Sequence, residues 1–137
     1  MTINQARILV VDDEPIIRSS LAECLETEGF HPMVAATGEE AVARVEIEPV
    51  DVVLCDLQLP GINGIETLDR ILSRAPEAMV ILMTAYGTVE TAVAAFQRGA
   101  HDYLLKPVLL DEVLARIRRL LDHREALREN RRLRRVL

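Results

Sequence analysis

The sequence has 137 residues, of which 50% are hydrophobic and 28% charged, with a formal net charge of −6 at pH 7. This length and balance are typical of one globular domain, and they exclude a disordered chain, a collagen-like fibre and a disulfide-stapled miniprotein. No apolar run reaches the ~20 residues of a membrane-spanning helix, and the first residues lack the basic-then-apolar order of a signal peptide. We therefore expect a cytoplasmic protein with no membrane partner.

The charge is unevenly distributed along the chain. Residues 1–110 contain 7 basic and 17 acidic side chains, whereas residues 111–137 contain 9 arginines and 5 acidic side chains. The larger part would repel nucleic acid, so only the tail could attract it. Arginine-rich helical tails are more typical of a solvated face, and we expect no direct binding of nucleic acid.

Short apolar runs alternate with amphipathic segments from the start of the chain. The predicted strands are Ile8–Val11, Pro32–Ala36, Val52–Cys55, Val80–Met83 and Tyr103–Leu105. The predicted helices are Pro15–Glu28, Gly38–Glu46, Gly64–Arg74 and Thr88–Arg98, and a last helix begins near Leu110. Pro15 suits a first helical turn, and Gly29 and Gly99 lie where helices should end. Short βα connections of this kind predict a doubly wound parallel α/β sheet with helices on both faces.

The two cysteines and three histidines carry no pattern of a metal site or a disulfide. Cys24 and Cys55 each lie in an apolar stretch without a partner spacing, so we expect both to be reduced core residues. His31, His101 and His123 are scattered, which favours surface or packing roles.

Polar residues directly follow four of the five predicted strands. They are Asp12-Asp13-Glu14 after strand one, Asp56 after strand three, Thr84 after strand four and Lys106 after strand five. Ligands of doubly wound sheets bind at the carboxyl ends of the strands, beside the point where the strand order reverses. A single such residue would be explained as a helix cap or a surface charge, but this set predicts a functional site at one edge of the sheet.

The chemistry of that set points to phosphoryl transfer. Three carboxylates within ~4 Å of one another repel by several kcal/mol per pair, unless one binds a proton or a hard cation binds among them. An open site with only oxygen ligands favours Mg²⁺. With Lys106 and Thr84 available for the phosphoryl oxygens, Asp56 is the best nucleophile because it ends a central strand.

Four stretches of the sequence together resemble the receiver domain of two-component response regulators. The resemblance covers about residues 6–121 and depends on Val10-Val11-Asp12-Asp13-Glu14-Pro15, Leu54-Cys55-Asp56-Leu57-Gln58-Leu59-Pro60-Gly61, Leu82-Met83-Thr84-Ala85 and Tyr103-Leu104-Leu105-Lys106-Pro107. It implies a flavodoxin-like fold with five strands in the order 2-1-3-4-5. It also implies that Asp56 accepts a phosphoryl group from a sensor histidine kinase in a Mg²⁺-dependent reaction.

The resemblance assigns roles to further residues around Asp56. Asp13, Asp56 and the backbone carbonyl of Gln58 would bind Mg²⁺, with Asp12 acting through water. Lys106 would contact the phosphoryl group, and the Lys106–Pro107 bond would be cis. Thr84 and Tyr103 would form the switch pair, and Gln58 and Tyr86 would flank the path of the hydrolytic water.

Two segments are most similar to receivers of the NtrC type, namely Thr84–Ala92 and His101–Pro107. Those regulators place an ATPase domain and a DNA-binding domain after the receiver. We therefore predict a receiver domain over residues 1–121 and a helical linker over residues 122–137, with a transcriptional output domain beyond it. A stand-alone receiver is the alternative.

The tail also suggests pairing of two chains. Near-helical spacing predicts that helix five continues as one rod of about 27 residues from Asp111, ~40 Å long; its apolar positions are Val113, Ile117, Leu120, Leu127, Leu133 and Leu137. Beyond Leu121 these leucines form a narrow stripe, and Asn130 falls on the same seam, where it would fix the register. Such a stripe predicts a short coiled coil with a second copy, aided by the face of helix four, strand five and helix five. The rival interpretation is that residues 122–137 fray.

Other functions of this fold class fit the sequence less well. A flavodoxin needs a loop rich in Ser, Thr and Gly after strand one, and a dinucleotide-binding domain needs Gly-x-Gly-x-x-Gly. A phosphatase of the haloacid dehalogenase type places its nucleophile in Asp-x-Asp after strand one, where this chain has Asp12-Asp13. A Mg²⁺-dependent aspartyl-phosphate phosphatase is the remaining enzyme alternative.

Overall fold

The computed structural model describes residues 5–136, which form five strands and five helices in strict alternation. The strands are β1 Arg7–Val11, β2 His31–Ala35, β3 Val52–Asp56, β4 Met79–Thr84 and β5 Asp102–Leu105. The helices are α1 Pro15–Thr27, α2 Gly38–Ile47, α3 Gly64–Arg74, α4 Val89–Gln97 and α5 Leu110–Val136. None of these helices is both long enough and apolar enough to cross a membrane.

The strands form one parallel sheet in the order β2-β1-β3-β4-β5. The predicted doubly wound fold and strand order are therefore confirmed. All residues of β3 and β4 are buried, as expected for central strands that are covered on both faces. The order reverses between β1 and β3, whose carboxyl ends carry Asp12 and Asp56.

Short polar segments set the helix boundaries. The side chains of Thr37 and Asn63 accept the backbone N–H groups three residues later and cap α2 and α3. Gly29 and Gly99 follow α1 and α4 with φ angles of 92° and 103°, in agreement with the helix ends predicted there. Capping side chains at the helix starts and glycines at the helix ends thus set the observed boundaries.

The core consists of two apolar layers, one on each side of the sheet. One layer packs α1 and α5 against the sheet, and the other packs α2, α3 and α4 against the opposite face. Cys55 is buried, as expected, and Met33, Met79 and Met83 on the strands are buried as well. The prediction for Cys24 was wrong in part: both cysteines are free thiols, but Cys24 is partly exposed at the border of its layer because it lies on the flank of α1.

Helix α5 extends well beyond the sheet-covering part of the domain. Its first half buries Val113, Ile117 and Leu121 in the core. In its second half, Leu127 is 42% and Leu133 is 53% exposed. These two leucines are six positions apart and therefore lie about 120° apart around the helix, so they do not form the single narrow stripe that the sequence suggested. Leu137 lies outside the described residues.

The extension of α5, residues 122–136, is anchored to its own domain by Arg124. The Arg124 Nη2 atom lies 2.9 Å from Asp51 Oδ1, and the backbone N–H of Arg7 donates to Asp51 Oδ2 at 2.8 Å. The side chains of Arg124 and Asp51 are only 18% and 19% exposed. Asp51 therefore connects β1, the start of β3 and the extension of α5 at the amino-terminal edge of the sheet.

We predict that Asp51→Ala destabilises the fold, because it removes the partners of both the Arg7 N–H and Arg124. The loss of acceptors for partly buried donors should lower the free energy of unfolding by about 1–3 kcal/mol. Glu77→Ala is the matched control, since Glu77 is 81% exposed and pairs with Arg128 at 3.6 Å. Glu77→Ala should lower the free energy of unfolding by less than about 0.5 kcal/mol. Urea unfolding of both variants measures the difference, and equal costs would contradict the anchoring role of Asp51.

Candidate functional site

The same local turn stands at the carboxyl ends of three neighbouring strands, β1, β3 and β4. At each end, a side-chain oxygen accepts the backbone N–H of the residue two positions later, which fixes the side chain at the start of the following loop. The three bonds run from Glu14 N to Asp12 Oδ1 at 2.9 Å, from Gln58 N to Asp56 Oδ1 at 3.0 Å and from Tyr86 N to Thr84 Oγ1 at 3.1 Å.

Lys106 joins the first two of these strand ends. Its Nζ atom lies 2.8 Å from Asp12 Oδ2 and 2.8 Å from Asp56 Oδ2. The side chain is only 12% exposed, and both carboxylates are buried. The Lys106 backbone N–H donates to the carbonyl of Thr84 at 2.8 Å, and the Lys106–Pro107 bond is cis, as the resemblance implied.

The ammonium of Lys106 remains protonated in this setting. Burial alone would lower its pKa, but the hydrogen bonds and charges of Asp12 and Asp56 outweigh burial, and the pKa is raised above its ordinary value. Asp13 adds a third carboxylate beside the pair. Three carboxylates and one ammonium therefore leave this cluster with two negative charges in excess.

The carboxylates of Asp12, Asp13 and Asp56 could hold a metal ion together. One oxygen from each lies within 4.8 Å of the others, and Asp13 is exposed while Asp12 and Asp56 are buried. Oxygen ligands on an open edge, with an excess of two negative charges, fit a hard divalent cation that keeps part of its water shell. The residues present therefore fit the acidic metal site that the sequence predicted.

The remaining predicted site residues lie around this cluster. Thr84 is fully buried at the end of β4, the neighbour of β3 in the sheet. Tyr103 lies on β5 beside Leu82, and its hydroxyl is 2.8 Å from the hydroxyl of Thr91 on α4. The side chain of Tyr86 is 75% exposed. The backbone N–H of Gln58 is bound by Asp56, as described above, and the side chain is exposed.

Several residues that support the site were not singled out in the sequence. Arg18 Nη1 donates to the backbone carbonyl of Asp12 at 2.8 Å and so holds the loop after β1. Glu39 Oε2 accepts the N–H of Ile62 at 3.3 Å and holds the loop after β3. Thr91 contacts Tyr103, and only its place three residues after Thr88 could have suggested a capping role.

Neither Cys55 nor His101 belongs to the reactive groups of the site. Burial and the nearby charges of Asp56 and Asp12 raise the pKa of the Cys55 thiol, so it stays neutral beside the strand end. His101 lies at the opposite edge of the sheet, where its Nδ1 atom accepts the N–H of Val80 at 3.1 Å. Partial burial lowers the pKa of His101, which keeps the acceptor available. The residue as a whole is exposed, in agreement with the surface or packing role expected for it.

Comparison with known proteins agrees with this site. Residues 8–118 match the response regulator receiver domain family. The chain is 39% identical over 123 residues to the transcriptional regulatory protein ZraR of Escherichia coli, covering 90% of this chain and 28% of ZraR. It is 38% identical over 129 residues to an NtrX-like response regulator of Rickettsia typhi, covering 93% of this chain and 27% of that protein.

A solved structure shares both the fold and the sequence pattern. The beryllofluoride-activated NtrC4 receiver domain dimer superposes with a TM-score of 0.81 at 38% identity, covering 85% of this chain and 97% of that chain. The chain spans little more than a quarter of the length of ZraR and of the Rickettsia protein. The chain belongs to the response regulator receiver family, and it resembles the receivers of NtrC-type regulators of transcription.

Proposed function

We propose that residues 1–121 form a phosphoacceptor switch in which Asp56 takes a phosphoryl group from a sensor histidine kinase. The observation that carries this proposal is the position of Lys106, whose ammonium bridges the buried carboxylates of Asp12 and Asp56. A lysine held there can transfer its hydrogen bonds to phosphoryl oxygens, and the open side toward Asp13 can receive the metal ion.

In the transfer itself, a carboxylate oxygen of Asp56 forms the new bond to phosphorus, while the bond between phosphorus and the kinase histidine nitrogen breaks. The electron pair of the broken bond returns to that nitrogen. Lys106 stabilises charge on the phosphoryl oxygens, and the buried hydroxyl of Thr84 becomes a donor to one of them. Because Thr84 Oγ1 accepts from Tyr86 N, its own proton is available for this bond.

The metal ion in this proposal is Mg²⁺. Asp13, Asp56 and the backbone carbonyl of Gln58 would hold it, and Asp12 would act through a water molecule. When bound, the ion supplies positive charge for the phosphoryl oxygens.

A groove beside Lys106 offers a docking place for the kinase. It measures about 430 Å³ and lies between the start of α1 and the loop that leads into α5. Its lining is largely apolar and includes Ile16, Leu21, Pro107 and Val108. Ile16 is strongly exposed at the edge of this groove, so an apolar partner surface could cover it while the donor histidine reaches Asp56.

Gln58 and Tyr86 set the lifetime of the phosphoryl group in this proposal. Both follow a strand-end turn residue by two positions, their backbone N–H groups bind Asp56 and Thr84, and both residues are exposed. The exposed ring of Tyr86 would hinder in-line attack by water, which favours a long-lived signal.

In this proposal the chain is a signalling domain that is phosphorylated and dephosphorylated at its own Asp56. It does not convert a separate substrate. Rapid turnover of a generic phosphate ester would favour the phosphatase alternative. The switch controls a following output domain that regulates transcription, with residues 122–137 as the linker. The proposed location of this signalling domain is the cytoplasm.

We also propose that the switch acts as a homodimer. Val89, Val93 and Phe96 form one stripe along α4 by their spacing, and all three are exposed. Leu105 on the neighbouring β5 is exposed as well. The NtrC4 receiver, a relative at 38% identity, is itself described as a dimer. The face of α4, β5 and α5 is therefore the main surface, and the extension of α5 adds to it.

The first test of the proposed function concerns Asp56. Acetyl phosphate with Mg²⁺ should add one phosphoryl group to the chain, and hydroxylamine should remove it because the product is an acyl phosphate. Intact-mass measurement should show no adduct in Asp56→Asn. Glu77→Gln is the control, since it changes an exposed acid before β4, at the opposite edge of the sheet, and should be labelled as the wild type is. Full labelling of Asp56→Asn would falsify the assignment.

A second test concerns the metal ion. Millimolar Mg²⁺ should raise the melting temperature by a few degrees, because binding to the folded state relieves the repulsion among the three carboxylates. Asp13→Asn should raise the metal-free melting temperature and weaken the Mg²⁺ effect. Glu14→Gln removes an adjacent charge outside the trio and should respond to Mg²⁺ as the wild type does. An equal Mg²⁺ effect in the wild type and Asp13→Asn would contradict this placement.

A third test concerns the dimer and uses three exposed apolar positions. Phe96→Glu should weaken dimerisation most, because it places a charge in the α4 stripe, and Leu133→Glu should weaken it less. Ile47→Glu is the matched control on α2, away from both surfaces. Sedimentation over a range of concentrations, with and without beryllofluoride and Mg²⁺, measures the association. A dimer that survives Phe96→Glu unchanged would argue against this face.

A further inference from the structure

The hydroxyl of Thr91 takes part both in the cap of α4 and in a hydrogen bond to Tyr103 on β5. Thr91 and Thr88 form a reciprocal capping box at the start of α4, in which each side chain accepts the backbone N–H of the other at 3.1 and 2.9 Å. The same Thr91 oxygen lies 2.8 Å from the hydroxyl of Tyr103 on β5. The cap of α4 and the position of the Tyr103 ring therefore share one oxygen atom.

The hydroxyl of Thr91 makes four close polar contacts. A threonine hydroxyl has one proton and two lone pairs. The Thr91 oxygen accepts the Thr88 N–H at 2.9 Å, and its proton can be donated to the Thr88 carbonyl at 3.0 Å or to the Tyr103 hydroxyl at 2.8 Å. The Thr88 hydroxyl is more distant, at 3.2 Å. Whichever hydroxyl donates in the 2.8 Å bond, Thr91 holds the Tyr103 ring.

The loop between Thr84 and Thr88 links the Thr84 hydroxyl to the Tyr103 ring. A Cβ atom on Gly87 would lie 2.3 Å from the Leu105 side chain and 3.1 Å from the Tyr103 hydroxyl, so the backbone of the loop packs directly against the end of the ring. One residue earlier, the Tyr86 N–H is bound to the Thr84 hydroxyl. A change at Thr84 thus reaches the Tyr103 ring through Tyr86 and Gly87.

We propose that Thr91 is a positioning residue that holds Tyr103 in the unphosphorylated conformation. This inference depends on the proposed function, in which the Thr84 hydroxyl turns toward the phosphoryl group. That turn releases the Tyr86 N–H, the loop at Gly87 moves, and the Tyr103 hydroxyl leaves Thr91. The start of α4 then loses a bond to β5, so the same event that moves the ring frees the helix from its strand.

The test uses the fact that the chain has only two tyrosines. In protein with ¹³C-labelled tyrosine rings, Tyr86→Phe assigns the Tyr103 signal by NMR, and saturation with beryllofluoride and Mg²⁺ gives its phosphorylated-like position. Thr91→Val removes the hydroxyl at constant size and should move the unphosphorylated signal toward that position. The ratio of the two ring populations should change about five-fold, which is the effect of one hydrogen bond.

Two control variants separate positioning from helix capping. Thr91→Ser keeps the hydroxyl and should keep the wild-type signal. Thr88→Ala weakens the cap but leaves Thr91 available to Tyr103, so it should also keep the wild-type signal. A Tyr103 signal that is unchanged in Thr91→Val, or that Thr88→Ala shifts equally, would overturn the proposal.

The same samples distinguish this inference from the proposed function. Intact-mass measurement after acetyl phosphate treatment shows whether Asp56 is labelled in the wild type and in each variant. Absence of wild-type labelling would refute the proposed function, whereas the comparison of unphosphorylated Thr91→Val and Thr91→Ser would still decide whether Thr91 holds the ring. Normal labelling with a fixed Tyr103 signal in Thr91→Val would refute the inference alone.

Discussion

The contact of one ammonium with two buried carboxylates governs the architecture of this domain. Asp12 follows β1 and Asp56 ends β3, the neighbouring strand, and one oxygen of each carboxylate lies 2.8 Å from the same ammonium. Two buried negative charges so close together are costly unless a cation pairs with them. Lys106 supplies it from the end of β5, on the edge of the sheet. The contacts join residues 94 and 50 positions apart in the chain, so they form only when the whole sheet is assembled in its observed order.

In this cluster, the two oxygens of each buried carboxylate bind different partners. In both Asp12 and Asp56, Oδ1 accepts the N–H two residues later and Oδ2 accepts from Lys106. The first bond fixes the side chain to its own loop, and the second fixes it to the opposite side of the site. Asp13 is outside this scheme and exposed, so it is the carboxylate most available to an incoming cation.

The sequence predicted those parts of the fold and site that depend on order along the chain. Apolar strands with polar residues at their ends place Asp12, Asp56 and Lys106 at one edge whatever their rotamers, because the carboxyl ends of parallel strands coincide. Contacts that depend on side-chain direction across two elements could not be predicted. The bond of Arg18 to the Asp12 carbonyl and that of Thr91 to Tyr103 are of this kind.

The error over the tail has a different physical origin. Leu127, two heptads after Val113, stays near the face of Val113 and Ile117, but Leu133 is six residues further on and lies about 120° away from Leu127 around the helix. What holds the extension is instead the polar contact of Arg124 with Asp51, which periodicity of apolar residues cannot reveal.

Helix α5 consequently joins the two edges of the sheet. It begins four residues after Lys106, at the carboxyl edge, and its core residues Val113, Ile117 and Leu121 pack along the sheet toward the opposite edge. There Asp51 holds Arg124 and the start of β1 together. The loop that carries Lys106 is therefore continuous with a helix that is packed along its first half and anchored beyond it by Arg124. Because packed interiors deform little, this arrangement couples the position of the loop to the position of the whole helix rather than to its first turn alone.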